Sequence, residues 1–190
     1  MDYSGKEIVA PKYDREDNFY HGMATVMLNE KWGFIDETGK EIVPPKYEDA
    51  SKFEDDLMRV LINGKQTFVD RTGREIFASK YFETGDFSEG LVIVSENKKY
   101  GFIDKTGKEI TALIYDFAAD FSEGLAVVRS DGKYGFIDKT GKEVIPLQFG
   151  GIYPVNEEDE EKKYGFTEGK MKVWLDGRDF YIDKTGKEIK

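Results

Sequence analysis

The chain has 190 residues, of which 39% are hydrophobic and 14% aromatic, enough to form a folded core. Its formal net charge of −10 would repel phosphate backbones and argues against a nucleic-acid partner. The absence of cysteine excludes disulfides, thiol nucleophiles and zinc–thiolate sites.

A segment of 34 residues repeats along the sequence, and this self-similarity is the strongest guide to the fold. Residues 99–109 recur, identical at every position, at 133–143, and diverged copies begin at Lys31 and Lys65. Glycines at the same phase follow each other at 34-residue intervals: Gly5, Gly39, Gly73, Gly107 and Gly141. The next, Gly186, comes 45 residues later, so one unit carries 11 additional residues.

Within each unit the apolar residues alternate with a period of two, which predicts strands and little or no α-helix. In the unit that starts near residue 122, Leu125–Val128 leads through Asp131-Gly132 into 134–137, and Asp-Gly between two β-forming runs predicts a hairpin. A second bend over 138–142 places Gly141 at a left-handed position and leads into a third strand. We therefore predict a three-stranded antiparallel meander per unit.

A linker of about a dozen residues follows each meander, within the ordinary range of loops. It holds a tyrosine and a phenylalanine, such as Tyr47 and Phe53, which we expect to pack between neighbouring units. We expect one array over 1–190. A partial unit would occupy 1–19, the insertion would lie within 150–165, and the complete units would span about 20–53, 54–87, 88–121, 122–165 and 166–190.

Such units can stack as an open, curved, solenoid-like array or close as a five-bladed, propeller-like ring. Residues 2–8 and 183–189 share one phase, and in a ring of five blades both segments would claim one position. This redundancy favours the open array over the ring. Because the chain begins and ends within a unit, we also expect it to be part of a longer array.

The chain resembles the bacterial WG-repeat family in its Lys-Trp-Gly-Phe-Ile-Asp segment at 31–36, its Thr-Gly-Lys-Glu turns and its Phe-Ser-Glu-Gly-Leu segments. The signature tryptophan is present only as Trp32, and tyrosine replaces it at Tyr100 and Tyr134. Gln66-Thr67 and Asp179-Phe180 break the pair in two other copies. The resemblance implies an interaction module, and it implies no catalytic residue.

One segment differs in composition from the rest, and it lies in the unit with the additional residues. It follows Asn156 and contributes five negative charges, carried by Glu157, Glu158, Asp159, Glu160 and Glu161. Like charges repel and favour a solvated loop. An elaborated loop on a regular scaffold is also where specificity is expected, so these five residues are the candidate partner-binding site.

The recurring Asp-x-Thr-Gly-Lys-Glu segments, at Asp36, Asp104 and Asp138 among others, superficially resemble calcium loops. We interpret them as turns whose aspartate caps main-chain amides, because calcium requires six to eight oxygen ligands at a different spacing. The only histidine, His21, precedes Gly22 without a nucleophile or carboxylate in a recognisable catalytic order, and we interpret it as a loop residue. We predict no catalytic residue, no metal site and no cofactor.

Aromatic residues recur along the second strand of the units and point to one face, because their spacing is two. Core packing is the expected role, and a ladder that stacks on sugars is the alternative if that face is exposed. The residues concerned are Trp32, Tyr100, Tyr134, Phe34, Phe102 and Phe136.

These features together predict a non-enzymatic repeat scaffold that binds another macromolecule, most simply a protein. A glycan-binding or cell-surface module that uses the repeated aromatics is the first alternative. An uncharacterised enzyme is the second alternative. A deep cleft with acidic groups of shifted pKa would favour catalysis, and a broad exposed face would favour binding. We expect a soluble chain without a signal peptide or membrane-spanning segment, in a compartment that the sequence does not identify.

Overall fold

The computed structural model describes residues 12–54, 56–76, 81–154 and 163–189, and strands are the only regular secondary structure in these ranges. The all-β repeat architecture predicted from the alternation is confirmed. Among the described residues there is accordingly no apolar helix of membrane-spanning length. The chain divides into two compact units at Phe82/Glu83, with two sheets in the first and three in the second.

The first unit contains two antiparallel sheets, A and B. Sheet A consists of β1 (Arg15–Glu16), β2 (Met23–Leu28), β3 (Lys31–Asp36) and β4 (Glu41–Tyr47). Sheet B consists of β5 (Asp49–Glu54), β6 (Leu57–Ile62) and β7 (Lys65–Asp70).

The second unit contains three antiparallel sheets, C, D and E. Sheet C consists of β8 (Glu83–Thr84), β9 (Leu91–Glu96) and β10 (Lys99–Asp104). Sheet D consists of β11 (Phe117–Ala118), β12 (Leu125–Ser130), β13 (Lys133–Asp138) and β14 (Glu143–Phe149). Sheet E consists of β15 (Gly151–Ile152), β16 (Lys170–Leu175), β17 (Arg178–Asp183) and β18 (Glu188–Ile189). None of the five sheets closes on itself.

Each sheet begins one strand earlier than the sequence predicts. The residues expected to form a linker supply the first strand of the following sheet, as β11 does beside β12 through the pairs Phe117–Arg129 and Ala118–Val128. The third strand of the meander is regular in sheets A and D, whereas in sheet C it is reduced to single bridges such as Ile103–Glu109. The predicted linker after each meander thus contributes a strand to the following sheet.

Tight turns with positive φ join the strands, as the glycine and Asp-Gly positions predict. Asp131 and Gly132 have φ of 51° and 74° between the paired residues Ser130 and Lys133, the geometry of a two-residue type I′ turn. The five described glycines of the second bend have φ of 80° to 83°: Gly39, Gly73, Gly107, Gly141 and Gly186. Gly5 lies outside the described residues.

The core forms between successive sheets of a unit, because both faces of an internal sheet are apolar. In sheet D, Leu125, Val127 and Phe136 pack against residues of sheet E that include Met171 and Val173. On the opposite face of sheet D, Ala126, Val128 and Ile137 pack against residues of sheet C that include Leu91 and Phe102. Sheets A and B share a comparable cluster around Phe34, Met58 and Val69.

The repeated aromatics belong to this core. Phe34, Phe102 and Phe136 are at most 1% exposed, and Trp32, Tyr100 and Tyr134 are half-buried beside the same clusters. The core interpretation is confirmed, and the alternative of an exposed ladder on these six residues is wrong. Tyr47, which was expected in the linker, ends β4 and is also fully buried. The side chain of Phe53 lies outside what the structure describes.

The glycine that follows the repeated aromatic allows the third segment of the meander to approach closely. A Cβ atom on Gly135 would lie 2.7 Å from the carbonyl oxygen of Ile145, and one on Gly33 would lie 2.5 Å from that of Val43. Glycine is therefore required by the close approach of two backbones, and not by its φ.

Candidate functional site: a cleft in the second unit

The repeated Phe-Ser-Glu-Gly-Leu segment forms a hairpin turn that bonds to the same turn of the next sheet. Ser88 Oγ donates to the carbonyl oxygen of Phe121 at 2.8 Å, and Ser122 Oγ donates to that of Phe166 at 2.7 Å. Each serine hydroxyl thereby fixes the segment that leads into the next turn.

These bonds bring residues 163–165 against the end of the segment 117–122. Gly165 lies so close to Ser122 that a Cβ atom on the glycine would be 2.7 Å from Ser122 Cβ. In sheet D, Asp120 is the position equivalent to Gly165, because the two residues directly precede the aligned phenylalanines Phe121 and Phe166. An open space lies between the two segments, and Asp120 and Gly165 both border it.

This space is a cleft of about 440 Å³ that lies wholly within the second unit. Its lining comes from the turn segment of sheet C, from β9, from β11 and the segment after it, and from 163–165. The lining residues are Ser88, Ile93, Phe117, Ala118, Ala119, Asp120, Phe121, Ser122, Lys163, Tyr164 and Gly165.

Aromatic rings give the cleft an apolar wall of fixed geometry. The ring of Phe117 meets that of Tyr164 edge to face, with centroids 5.7 Å apart and planes at 90°. Phe117 also contacts Tyr134, at 6.1 Å, so its ring is held between two neighbours. Such edge-to-face contacts orient the rings and add to the stability gained from burial.

Asp120 carries the acidic group of the cleft. Partial desolvation raises the pKa of its carboxyl group, and the nearby carboxylate of Asp86 raises it further, while the ammonium group of Lys163 acts in the opposite direction. Among the described residues none donates a hydrogen bond to Asp120. Asp120 is nevertheless exposed, so its carboxylate can meet a ligand, and its charge is only partly compensated by Lys163.

The predicted partner-binding residues, Glu157, Glu158, Asp159, Glu160 and Glu161, lie outside the described residues. The structure does describe the residues on either side, and Lys163 and Tyr164, two and three positions after Glu161, line the cleft. The cleft was not predicted from the sequence. Its signal in the sequence is an aspartate that precedes two copies of Phe-Ser-Glu-Gly-Leu, at Asp86 and Asp120.

The recurring aspartates of the second bend are turn residues, as predicted. Asp138 Oδ1 accepts hydrogen bonds from the backbone N–H of Thr140 at 2.8 Å and of Lys142 at 3.1 Å, and from the Thr140 hydroxyl at 2.6 Å. These bonds, led by that from the Thr140 side chain, lower the pKa of Asp138. Throughout the described ranges, no three His, Asp or Glu side chains are grouped so that they could hold a metal ion.

His21 is a loop residue, as predicted. It is exposed and occupies the first position of a two-residue turn with φ of 48°, followed by Gly22 at 82°. Its ring contacts that of Tyr20, with centroids 4.3 Å apart. Glutamate occupies the same position in three other turns, at Glu89, Glu123 and Glu168.

A comparison with protein families identifies the repeat. The family described as "WG containing repeat" matches five successive segments, at 1–32, 32–65, 67–100, 100–134 and 134–159. Together these segments account for most of the chain. No curated protein matches the sequence significantly.

Several solved structures have a backbone similar to that of this chain, but their sequence identity to it is low. Hsv2 of Kluyveromyces lactis is 11% identical, with a TM-score of 0.46 over 89% of this chain and 59% of Hsv2. A eukaryotic initiation factor is 11% identical, with a TM-score of 0.49 over 88% of this chain and 50% of that protein. Regucalcin, a calcium-binding protein of Agrobacterium tumefaciens, is 14% identical, with a TM-score of 0.35 over 89% and 69% of the two chains.

Proposed function

The chain belongs to the WG-containing repeat family, and we propose that it is a non-enzymatic scaffold that binds a protein partner through the cleft of its second unit. The observation that carries the proposal is Asp120, a carboxylate without a hydrogen-bond donor among the described residues, at a cleft with an aromatic wall. The partner that fits this chemistry presents a basic segment.

A lysine or arginine side chain complements both parts of the cleft. Its methylene stem can pack along Phe117 and Tyr164 while its charged end meets the Asp120 carboxylate. The net charge of −10 and the five acidic residues before Lys163 would attract such a segment over a longer range. The same charges disfavour an acidic partner.

An acidic group with a raised pKa in a cleft would also suit an enzyme, but the neighbouring groups favour binding. The Ser88 and Ser122 hydroxyls both donate to main-chain carbonyls, so neither is paired with a base that would activate it as a nucleophile. The only histidine, His21, lies in the first unit, in an exposed turn. A single desolvated aspartate lacks the partners that acid–base or nucleophilic chemistry requires.

Fluorescence anisotropy with a labelled oligolysine peptide tests the proposal on the full chain. We expect saturable binding that weakens with added salt and that Asp120→Asn reduces by about tenfold, as loss of one charge-assisted contact would. Asp131→Asn is the matched control, because it removes the same charge at a turn position where asparagine occurs naturally as Asn29, Asn63 and Asn97. It should leave the affinity within about twofold, as expected for a screened surface charge.

Equal losses in Asp120→Asn and Asp131→Asn would show that only net charge matters and would overturn the assignment to the cleft. Absence of oligolysine binding at low salt would overturn the proposal of a basic partner. A labelled oligoglutamate peptide serves as the negative probe, and binding of it with equal affinity would also contradict the proposal.

A further inference from the structure

The outer face of sheet E exposes two large aromatic side chains. Trp174 on β16 is 40% exposed and Tyr181 on β17 is 45% exposed, while Met171, Val173 and Ile182 on the opposite face are buried in the core. Trp174 pairs with Asp179, and Tyr181 pairs with Lys172, so the two aromatics are diagonal neighbours on one face of the sheet. Diagonal neighbours lie about 7–8 Å apart, within reach of one extended ligand.

The corresponding face of sheet D carries different residues at the aligned positions. Leu125 and Val127 of sheet D correspond to Lys170 and Lys172 of sheet E, because each pair follows its turn glycine by one and three residues. In sheet D the two positions are buried against the next sheet. A further repeat packed on sheet E in the same way would bury two ammonium groups, so another apolar sheet does not fit this face.

The Cε3–Cζ3 edge of the Trp174 indole ring abuts the adjoining segment at Gly150. A Cβ atom on Gly150 would be 2.4 Å from Cζ3 and 2.6 Å from Cε3 of the indole, so the absence of a side chain at Gly150 makes room for the ring. One edge of the ring is thus held by the protein, while much of the residue remains in contact with solvent. A ring fixed in this way loses little conformational freedom when a ligand stacks on it.

Hydrogen-bonding groups surround the two rings. Tyr153 Oη donates to Asp179 Oδ1 at 2.6 Å, and Lys172 Nζ lies 3.9 Å from Asp179 Oδ2 and 4.3 Å from the centre of the Tyr153 ring. Lys170 Nζ lies 5.9 Å from the ring centre of Tyr181. Donors and an acceptor therefore lie around an apolar platform.

We propose that this face binds a carbohydrate chain. A pyranose ring has an apolar C–H face that can stack on Trp174 and hydroxyl groups around its edge that can bond to Lys172 and Asp179, and Tyr181 contacts the next sugar. A nucleobase could also stack on such a ring, but the phosphates of a nucleic acid would be repelled by a protein of net charge −10. This site uses other side chains than the cleft, and it stands or falls independently of the proposed protein binding.

Affinity electrophoresis of the full chain tests the proposal, in native gels that contain hydroxyethyl cellulose, xylan, laminarin or glycol chitin. We expect at least one of these polysaccharides to retard the wild-type chain. Trp174→Ala should weaken that binding by about tenfold or more, the loss typical of a central aromatic contact. Tyr20→Ala is the control, because Tyr20 is 50% exposed in the first unit and does not belong to this face.

Unchanged mobility of the wild type in all four gels would overturn the proposal, as would equal retardation of wild type and Trp174→Ala. Circular dichroism checks that each variant is folded. If Trp174→Ala unfolds, Lys172→Ala and quenching of wild-type tryptophan fluorescence by the retarding polysaccharide replace it, and an absence of effect in both contradicts the proposal. A dimer in light scattering that Trp174→Ala dissociates would assign the face to a second copy of the chain instead.

Discussion

The carboxylate of Glu123 accepts a hydrogen bond from the backbone N–H of Gly169 at 3.0 Å, which joins equivalent turns of sheets D and E. Glu89 makes the same bond to Gly124 at 3.1 Å, between sheets C and D. A lysine from the second bend of the next sheet completes each contact, with Lys184 3.0 Å from Glu123 and Lys139 2.8 Å from Glu89. The two repeated motifs of the sequence therefore act together, as a polar link between neighbouring sheets.

Removal of one link should destabilise the second unit. We expect Glu89→Ala to lower the free energy of unfolding by about 1 kcal/mol, because it removes a charge-assisted hydrogen bond and an ion pair that solvent partly screens. Glu168→Ala is the matched control. Glu168 has the same turn position and the same φ of 51°, but its side chain is 81% exposed and its ion pair with Lys170 is 3.8 Å long. Urea denaturation of both variants checks the difference, and equal losses would contradict the role of the link.

Stability should fall in acid because the links and turns are made by carboxylates of lowered pKa. The bond from Lys139 lowers the pKa of Glu89 from 4.5, and despite partial desolvation the bonds from Thr72 and Arg74 lower the pKa of Asp70 from 3.8 to about 2. A lowered folded-state pKa stabilises the fold above the unfolded-state value, and this contribution is lost as pH falls toward the folded-state value. We expect the urea midpoint to decline from about pH 5 to about pH 2. A midpoint that is constant or rises over this range would contradict the account.

The contribution of Asp120 to stability should change with pH in the opposite direction. Its folded-state pKa is raised, so ionisation of Asp120 costs stability as pH rises past the unfolded-state value of about 3.8. Asp120→Asn should therefore be at least as stable as the wild type at pH 7, and any advantage should disappear in acid. Thermal unfolding of both proteins at pH 7 and at pH 3 measures this. A variant less stable than wild type at neutral pH would show that Asp120 serves the fold and would weaken its assignment to binding.

Aligned positions in neighbouring sheets should differ in their contribution to stability. Phe136 of sheet D and Tyr181 of sheet E occupy the same place in the repeat, but Phe136 is fully buried and Tyr181 is 45% exposed. We expect Phe136→Ala to cost about 3–5 kcal/mol, as for other large core truncations. Tyr181→Ala should cost less than about 1 kcal/mol, as for most surface positions. Similar shifts of the denaturation midpoint in the two variants would contradict the assignment of the core.

The sheets, hairpins and turns could be predicted because local sequence determines them. The turn at Asp131-Gly132 and the cap formed by Asp138 each involve residues fewer than five positions apart. The alternation that predicts the strands likewise needs no knowledge of tertiary structure. The first strands of sheets A, C, D and E could not be predicted because each has only two residues, as in β11, which depends on pairing with β12.

The cleft could not be predicted because it depends on contacts between distant residues. Gly165 contacts Ser122, but the additional residues that break the 34-residue period lie between them in the sequence. Their contact therefore cannot be read from the repeat alone. The exposed face of sheet E is different, because the change from Leu125 and Val127 to Lys170 and Lys172 is visible in the aligned sequence. The sequence change alone does not show that this face of sheet E is exposed, because that depends on which face of each sheet is buried.

Amide chemical shifts of the ¹⁵N-labelled chain during titration with oligolysine test the central claim most directly. The cleft account predicts that the largest, saturable changes occur at residues that line it, such as Ala119, Asp120 and Gly165, and that Gly64 of the first unit is unaffected. Asp120→Asn should reduce these changes at equal peptide concentration. Changes that are absent from the cleft, or that are spread evenly over the acidic surface and survive in Asp120→Asn, would contradict the account.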